Sequence, residues 1–269
     1  MLQILDLFSV DRPIWSADEI ILRCGHSRPT GYRYVKELCT AGLLRRTEGG
    51  YTLGARIIEM DYYIRQCDPL LSACKPVMSR VALDTGCDVL LASMYGSRIL
   101  AIHHELGNDL SSIAFGRGRP MPLFRGGGSK VIIASLSLSE HKKLYAKHSK
   151  EIAEVGLGNT LVDFRKRMLE IRREGHVVSL GELDPDAAGI AVPIPAGESS
   201  DPAALVLVTT KTRFKLIEKS LLIDIGKNAA QQIESTTRGK RNAELLRPVG
   251  TSAVENKTKQ PRLRRGRGQ

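Results

Sequence analysis

Residues 16–53 read SADEIILRCGHSRPTGYRYVKELCTAGLLRRTEGGYTL, and this stretch decides how the chain is organised. Its pattern predicts a helix, a turn, a second helix and two short strand-like runs, residues 43–46 and 51–53. The doubled glycine at residues 49–50 lies between the runs and predicts a tight hairpin. Residues 2–8 add a further run with helical spacing. Three helices and a hairpin predict a winged helix-turn-helix.

The ends of the two central helices carry their own signals. Ser16 precedes Glu19 by three residues, which is the pattern of a capping box, and Gly25 ends the first helix. Pro29 lies in the first turn of the second helix, where the missing N–H has no helical partner to lose, and Gly42 ends that helix. The two helices are therefore short and joined by a tight turn.

The second helix begins with basic, hydroxyl and aromatic side chains, and its apolar residues come later. In a helix-turn-helix the N-terminal part of this helix contacts base edges in the major groove. Arg28 and Arg33 can each donate two hydrogen bonds to guanine, and Thr30 can contact a thymine methyl group or a phosphate. The predicted DNA-contacting residues are Ser27, Arg28, Thr30, Tyr32, Arg33 and Lys36 on the helix, with Arg45 and Arg46 on the wing. The alternative is a winged helix that binds protein, with solvated arginines.

The net charge of +11 is distributed unevenly. Residues 238–269 hold ten Lys or Arg and two Glu, so +8 of the total lies in the C-terminal tail. Residues 28–56 hold six basic side chains and two Glu, a local excess of +4 within the predicted winged helix. The tail is predicted to be disordered; it either adds non-specific affinity for DNA phosphates or has no function.

Length and composition narrow the class of protein. With 269 residues, 42% of them hydrophobic, the chain can form one large or two ordinary domains. It lacks an apolar run of the roughly 18 residues that a membrane span needs, and its N-terminus lacks the features of a signal peptide. Five scattered cysteines suit a reducing compartment. We therefore expect a cytoplasmic, nucleoid-associated protein that does not bind membranes.

Beyond the winged helix the pattern predicts a second, mixed domain. Residues 54–67 predict a linker helix. The remaining predicted helices are 70–85, 139–148, 161–174 and 214–233, and the predicted strands are 88–93, 98–103, 177–180, 189–194 and 203–209. The run KVIIASLSL, residues 130–138, fits either a buried helix or a strand. These elements predict an α+β fold with helices around a sheet of about five or six strands.

The order and spacing of several blocks resemble the IclR family of bacterial transcription regulators over about residues 1–237. The matching blocks are LCTAGLLRR (38–46), GGYTLGARIIEM (49–60), LDTGCDVLLASMYGSRILAIHHELG (83–107), PMPLFRGGGSKVIIASL (120–136), GELDPDAAGIAVPI (181–194) and AALVLVTT (203–210). The resemblance implies a GAF-like effector-binding domain, with an antiparallel sheet flanked by helices, that senses small organic or aromatic acids. It also implies a homodimer or homotetramer that binds palindromic operators in double-stranded DNA.

The resulting organisation has four parts: a winged helix-turn-helix domain (1–53), a linker helix (54–68), an effector-binding domain (69–237) and a basic tail (238–269). The family's effector pocket is formed by a glycine-rich turn before a helix, an acidic loop and two strands. Carried onto this chain, the pocket residues are Gly126, Gly127, Gly128, Glu182, Ile190, Val192, Val206 and Val208. A turn that leads into a helix N-terminus exposes amides that favour a carboxylate. The same glycines also fit a plain tight turn.

Two departures from the family pattern bear on the pocket. The usual His-Ala pair before the glycine-rich turn is replaced here by Phe124 and Arg125, and the last strand carries Val206, Leu207 and Val208 where small polar residues are common. The substitutions predict a more apolar pocket, suited to an aromatic or branched ligand. Arg125 is a candidate to pair with the ligand's carboxylate.

Enzymatic and metal-binding interpretations find little support in the sequence. The six histidines form neither an HExxH motif nor a zinc-spaced set with cysteine. His103 and His104 are adjacent near a strand end, so their side chains point to opposite faces. Glu182, Asp184 and Asp186 raise the possibility of a cation site, but Pro185 among them indicates a loop beside a pocket. We expect neither catalysis, nor a bound metal, nor a cofactor.

Overall fold

The N-terminal domain is a winged helix-turn-helix, as predicted. A computed structural model describes residues 1–107, 116–195 and 201–245, with side chains in the last range through residue 238. The domain consists of a 3-10 helix Leu2–Leu7, helices α1 (Ala17–Cys24) and α2 (Arg28–Thr40), and strands β1 (Leu44–Thr47) and β2 (Gly50–Leu53). Its core contains Ile4, Trp15, Ile20, Val35, Leu38 and Leu44.

The predicted helix boundaries follow from local chemistry. Ser16 and Glu19 form the complete capping box at the start of α1, and Gly25 ends that helix in the left-handed conformation with φ 67°. Ser27 is the N-cap of α2, with Pro29 in the first turn. The Ser27 hydroxyl, however, donates to Thr30 Oγ1 (2.9 Å) and accepts no backbone N–H.

The tight hairpin predicted for the wing is present, but only one glycine of the pair lies in its loop. Thr47 pairs with Gly50, so the loop is formed by Glu48 and Gly49. The positive φ lies at Gly50 (138°), which is in the strand. A Cβ there would lie 2.4 Å from Trp15 O, because Trp15 pairs its backbone with Tyr51 beside it. Gly50 therefore admits the segment that leads into α1.

Two consecutive helices connect the winged helix to the second domain. Helix α3 (Arg56–Cys67) buries none of its residues, and helix α4 (Pro69–Thr85) buries one face in the second core. Asp68 separates them in an extended conformation, and its carboxylate caps α4 by accepting from two backbone N–H groups. The exposed apolar side chains of α3 are Ile58, Met60, Tyr62, Tyr63 and Ile64.

The linker helix is fixed tightly to the wing. Gly54 N–H donates to Leu43 O (2.8 Å), and Arg56 N–H donates to Gly42 O (3.3 Å). A Cβ on Gly54 would lie 2.0 Å from Gly42 O. The backbone after β2 thus packs directly on the turn that follows α2.

In the described part of the second domain, six strands form one antiparallel sheet. Its strands are β3 (Asp88–Tyr95), β4 (Arg98–Glu105), β5 (Pro120–Met121), β6 (Val177–Leu180), β7 (Ala187–Ile194) and β8 (Ala203–Thr210), in the order β5-β4-β3-β8-β7-β6. Helices α5 (Gly127–Ala134), α6 (Leu138–Glu154) and α7 (Leu161–Glu174) are associated with one face. Helices α4, α8 (Lys211–Phe214) and α9 (Lys219–Leu245) contribute to the core on the other. The α+β fold class is confirmed.

Several boundaries differ from the sequence-based predictions. The run KVIIASLSL ends helix α5 and begins α6, and Ser137, not Ser139, caps α6 through a capping box with Glu140. The final helix is divided into α8 and α9, and α9 continues to Leu245, so the helix extends beyond the predicted start of the tail at residue 238. Residues 246–269 lie outside the described chain. Among the described helices, none combines the length and apolarity needed to cross a membrane.

Candidate functional site

Helix α2 presents one apolar and one basic face. Gly31, Val35 and Leu38 follow helical spacing and are buried. Arg28 and Arg33 point outward, with side chains 78% and 64% exposed. The other predicted contact residues Tyr32 and Lys36 on α2, and Arg45 and Arg46 on β1, are exposed as well, while Thr30 is half-buried.

Close packing between α1 and α2 positions this basic face. A Cβ added to Gly31 would lie 2.2 Å from Ile21 Cγ1, and Ile21 is 5% exposed. Only a glycine therefore lets α2 approach α1 at this distance. Tyr34 supports the same packing from the side, where its ring meets His26 edge-on with centroids 5.2 Å apart.

Asp18 on α1 connects to two of the outward side chains of α2. Its Oδ1 accepts a hydrogen bond from the Tyr32 hydroxyl (3.1 Å) and lies 3.7 Å from Arg28 Nη2. The hydrogen bond and the negative charge raise the pKa of the Tyr32 phenol. The sequence-based assignment missed Asp18, because its sequence position indicates only the first turn of α1.

Arg33, the other outward arginine of α2, has an exposed ion-pair partner. Arg33 Nε lies 3.8 Å from Glu37 Oε1 one turn away, and its guanidinium lies 5.5 Å from the Tyr34 ring centroid. Exposed pairs of this kind contribute at most about 1 kcal/mol. They hold the guanidinium near the helix surface and can be replaced by base or phosphate contacts at little cost.

A cavity lies between the N-terminus of α5, the sheet and the loop after β6. Its empty space is about 450 Å³ when the open solvent at its mouth is counted, and about 50 Å³ of it can hold the centre of a water-sized sphere. Its walls are mainly apolar or glycine, and the ionisable side chains among them are Glu182 and Asp184. The lining residues are Leu90, Met121, Gly126, Gly127, Gly128, Ser179, Gly181, Glu182, Leu183, Asp184, Ala187, Ala188, Gly189, Val206 and Val208.

The glycine triplet allows α5 to approach the sheet and the loop. Gly126 adopts φ 81° as the N-cap, and a Cβ there would lie 2.7 Å from Leu183 Cδ1. Gly128 faces the cavity floor, where a Cβ would lie 2.9 Å from Val206 Cγ2. The triplet is thus a turn and a cavity wall at once.

Glu182 is held by donors of α5. Its Oε2 accepts from Gly126 N–H (2.9 Å) and from Lys130 Nζ (2.7 Å). Burial alone would raise the pKa of this carboxyl, but the hydrogen bonds from Lys130 and Gly126 outweigh burial and lower it. Lys130 escaped the sequence-based assignment because it follows the glycine triplet as one residue of an apolar helix.

Two predicted cavity residues lie elsewhere. Ile190 and Val192 are fully buried on the opposite face of the sheet, in the core shared with α4 and α9. Side chains alternate along β7, so Gly189, next to Ile190, faces the cavity instead. The side chains of Ile190 and Val192 therefore do not line this cavity.

The pair that replaces the family's His-Ala also lies outside the cavity. Phe124 is fully buried between α6 and α7, with its ring 5.5 Å from that of His148 and 6.3 Å from that of Phe164. Arg125 is exposed and does not line the cavity. The apolar character of the cavity therefore comes from other residues, among them Val206 and Val208.

The histidine pair has separate partners, as the alternation of the strand predicts. His103 Nε2 lies 2.6 Å from Glu105 Oε1, whereas His104 Nε2 lies 3.2 Å from the buried Asp88 Oδ2. In the loop that contains Glu182, Asp184 and Asp186, the Asp184 Oδ1 atom accepts a hydrogen bond from Asp186 N–H (2.9 Å). Within the described ranges no group of three or more His, Cys, Asp or Glu is placed to hold a metal ion.

Comparisons with known proteins agree with this architecture. Residues 63–235 match the family model described as bacterial transcriptional regulator IclR C-terminal. An IclR homolog from Microbacterium hydrocarbonoxydans, complexed with 4-hydroxybenzoate, is 24% identical with a TM-score of 0.66, over 88% of this chain and 97% of that one. An IclR-family regulator from Brucella abortus is 18% identical with a TM-score of 0.70, over 89% of each chain. No curated protein sequence matches the chain.

The chain thus combines a winged helix, a linker helix and a second domain that contains a cavity. The family model covers more than half of the chain. The protein belongs to the IclR family of bacterial transcriptional regulators.

Proposed function

We propose that this protein is a ligand-responsive regulator that binds a palindromic operator sequence-specifically and controls catabolic or metabolic genes in the cytoplasm. The observation that carries the proposal is the outward face of α2, where Arg28 and Arg33 are exposed above a buried apolar face. Guanidinium groups placed in this way can donate bidentate hydrogen bonds to guanine. Arg45 and Arg46 on the wing are both exposed, and we assign them to phosphate contacts.

The exposed apolar side chains of α3 support a homodimer or homotetramer as the active form. Ile58, Tyr62 and Tyr63 are each more than half exposed on a helix that buries nothing within its own chain. Apolar side chains gathered on one helix favour association with another protein surface. In a twofold dimer, the two α2 helices would read half-sites about one turn, roughly 10 bp, apart.

The cavity supports a small organic or aromatic acid as the effector. Its apolar walls suit a ring, and the amide at the N-terminus of α5 suits a carboxylate. The Microbacterium homolog that holds 4-hydroxybenzoate provides a concrete compound to test. Such a ligand changes DNA binding only if it binds one arrangement of the assembly more tightly than another.

Arg33→Ala is expected to relax base preference at one operator position per half-site, with a loss of about 1–3 kcal/mol on the preferred sequence. The measurement is selection of binding sequences from a random DNA pool, followed by titration of the preferred site. Arg46→Ala is the matched control, because removal of a phosphate-binding side chain from the wing should weaken binding to all sequences alike and lower the salt dependence.

An equal loss on all sequences for Arg33→Ala would reassign this residue to phosphate contact. Wild-type association with DNA that does not weaken with added salt would contradict DNA reading through arginine. Wild-type protein that binds no DNA even at low salt would favour the alternative of a winged helix that binds protein.

Gly128→Val is expected to remove the response to the effector while leaving operator binding intact. The added Cβ would lie 2.9 Å from Val206 Cγ2 and 3.8 Å from Met121 Cε, so the valine side chain would crowd this wall of the cavity. The measurement is release of the full-length protein from operator DNA as 4-hydroxybenzoate, or an effector found by screening, is added. Gly116→Val is the control, because a Cβ on Gly116 meets nothing within 4 Å. An unchanged response in Gly128→Val would exclude this cavity.

A further inference from the structure

The donor position that would suit a carboxylate ligand is already occupied by a carboxylate of the protein. Gly126 N–H and Lys130 Nζ converge on a single oxygen, Glu182 Oε2, at 2.9 and 2.7 Å. The two donors come from the N-cap and the first turns of the same helix, α5. A carboxylate from outside would need these same two donors.

The strength of this arrangement comes from partial burial. The side chains of Lys130 and Glu182 are 15% and 26% exposed, so water screens their attraction only in part. The positive end of the helix dipole adds to the attraction at Gly126. Half-buried donors of this kind are nearly always hydrogen-bonded. A ligand carboxylate that used Gly126 N–H and Lys130 Nζ would therefore have to replace the Glu182 carboxylate.

The loop that carries Glu182 can release the carboxylate from its donors without displacing a strand. Its base is closed by Gly181 N–H to Ala187 O (2.8 Å) and by Ala187 N–H to Asp184 O (3.1 Å). Glu182 and Leu183 lie within this closed turn and face the cavity, and Leu183 covers Gly126. Release of the Glu182 carboxylate would displace a short loop next to the cavity mouth.

We propose that Glu182 is a built-in competitor of the effector: an acidic ligand binds by displacing the Glu182 carboxylate from Gly126 and Lys130. The inference rests on the proposed role of the cavity as the effector site. Lys130 then determines specificity for acids, because it pairs with the ligand once Glu182 has left. A small anion offers the donors no more than Glu182 does, so only an acid whose apolar body also contacts the cavity walls can compete.

The test compares Glu182→Gln with the wild-type protein, using benzoate as the probe and its neutral analogue benzamide as a second ligand. Calorimetric titration of the full-length proteins at neutral pH gives the dissociation constants. Removal of the competing charge should tighten benzoate binding about tenfold or more, as expected for hydrogen bonds to a charged group. Benzamide affinity should change less than about twofold, because a neutral amide gains little from a freed ammonium group.

Two further variants isolate the cause. Asp186→Asn removes one negative charge from the same loop outside the cavity, and it should leave benzoate affinity within about twofold of wild type, as expected for a screened surface charge. Lys130→Met in the Glu182→Gln background should reverse the gain. Operator binding and thermal melting establish that each variant is folded.

Benzoate affinity that is equal in Glu182→Gln and wild type, or absent in both, overturns the inference, because freed donors must accept a carboxylate more readily than occupied ones. An equal gain in Asp186→Asn also overturns it, since the effect would then be general charge. These results leave the proposed sensor function intact. That function is judged separately by whether Gly128→Val abolishes the effector's action on DNA.

Discussion

Alanine at position 31 is expected to remove most of the protein's affinity for its operator. Gly31 is buried where α2 crosses α1, and a Cβ would lie 2.2 Å from Ile21 Cγ1. Ile21 is branched at Cβ and buried, so it has little freedom to turn away. Overpacking of this kind costs about 1–3 kcal/mol, and relief requires α2 to shift. Operator titration should show a loss of about tenfold or more, since misplacement of base-contacting side chains adds to the loss of stability.

The matched control is Gly49→Ala, at the tip of the wing, where the new Cβ would lie 3.5 Å from Ile14 in ordinary contact. The double variant Gly31→Ala with Ile21→Ala should recover much of the DNA affinity, because it removes the atom that clashes. Undiminished operator affinity in Gly31→Ala would show that the position of α2 against α1 does not control DNA reading.

Phe124→Ala is expected to lower the free energy of unfolding of the second domain by about 3–5 kcal/mol, the cost of emptying a large buried aromatic site. The ring is fully buried and packs against Phe164 and His148 from two helices. Denaturant unfolding monitored by circular dichroism measures the change. The family resemblance predicts that Phe124 lies at the effector pocket, whereas the structure has it in the core between α6 and α7. Variants of Phe124 therefore distinguish a residue of the pocket from a residue of the core.

Phe124→Leu is the control, since a smaller apolar side chain should retain most of the stability. Ligand preference should be the same in Phe124→Leu and in wild type, because the residue does not line the cavity. A change in the ranking of aromatic acids, without a loss of stability, would return Phe124 to the pocket.

The elements of the fold could be predicted because each has a local cause. The capping box at Ser16, the proline in the first turn of α2 and the apolar spacing of residues 161–174 act within a few residues of chain. The start of the final helix was harder to predict from the sequence. Thr210 accepts a hydrogen bond from Arg213 N–H and starts the short α8, which separates β8 from α9. Apolar spacing alone did not reveal that interruption.

The candidate sites were predictable only as far as they depend on one element. The outward face of α2 follows from helical periodicity, so Arg28, Tyr32 and Arg33 were placed correctly on the surface. The lining of the cavity depends on which residues of β7 face it. Gly189 faces the cavity, and the next residue, Ile190, faces the opposite side of the sheet. Asp18 and Lys130 were missed because their roles arise from contacts across 14 and 52 residues of sequence.

Because Gly54 packs on the backbone of Gly42, we expect the winged helix and α3 to move together as one rigid arm. Only Gly54 and Ala55 separate the wing from the start of α3, and Gly54 packs against Gly42 O, whereas the extended Asp68 at the other end is held outside both helices by the proline that follows it. We therefore expect any bending between the winged helix and the second domain to occur at Asp68. Helix α3 has 12 residues. At 1.5 Å per residue the arm is roughly 18 Å long, so a tilt of about 10° at the pivot would carry the reading head roughly 3 Å. In the proposed twofold dimer, a displacement of that size in each protomer would change the separation of the two α2 helices by about twice as much.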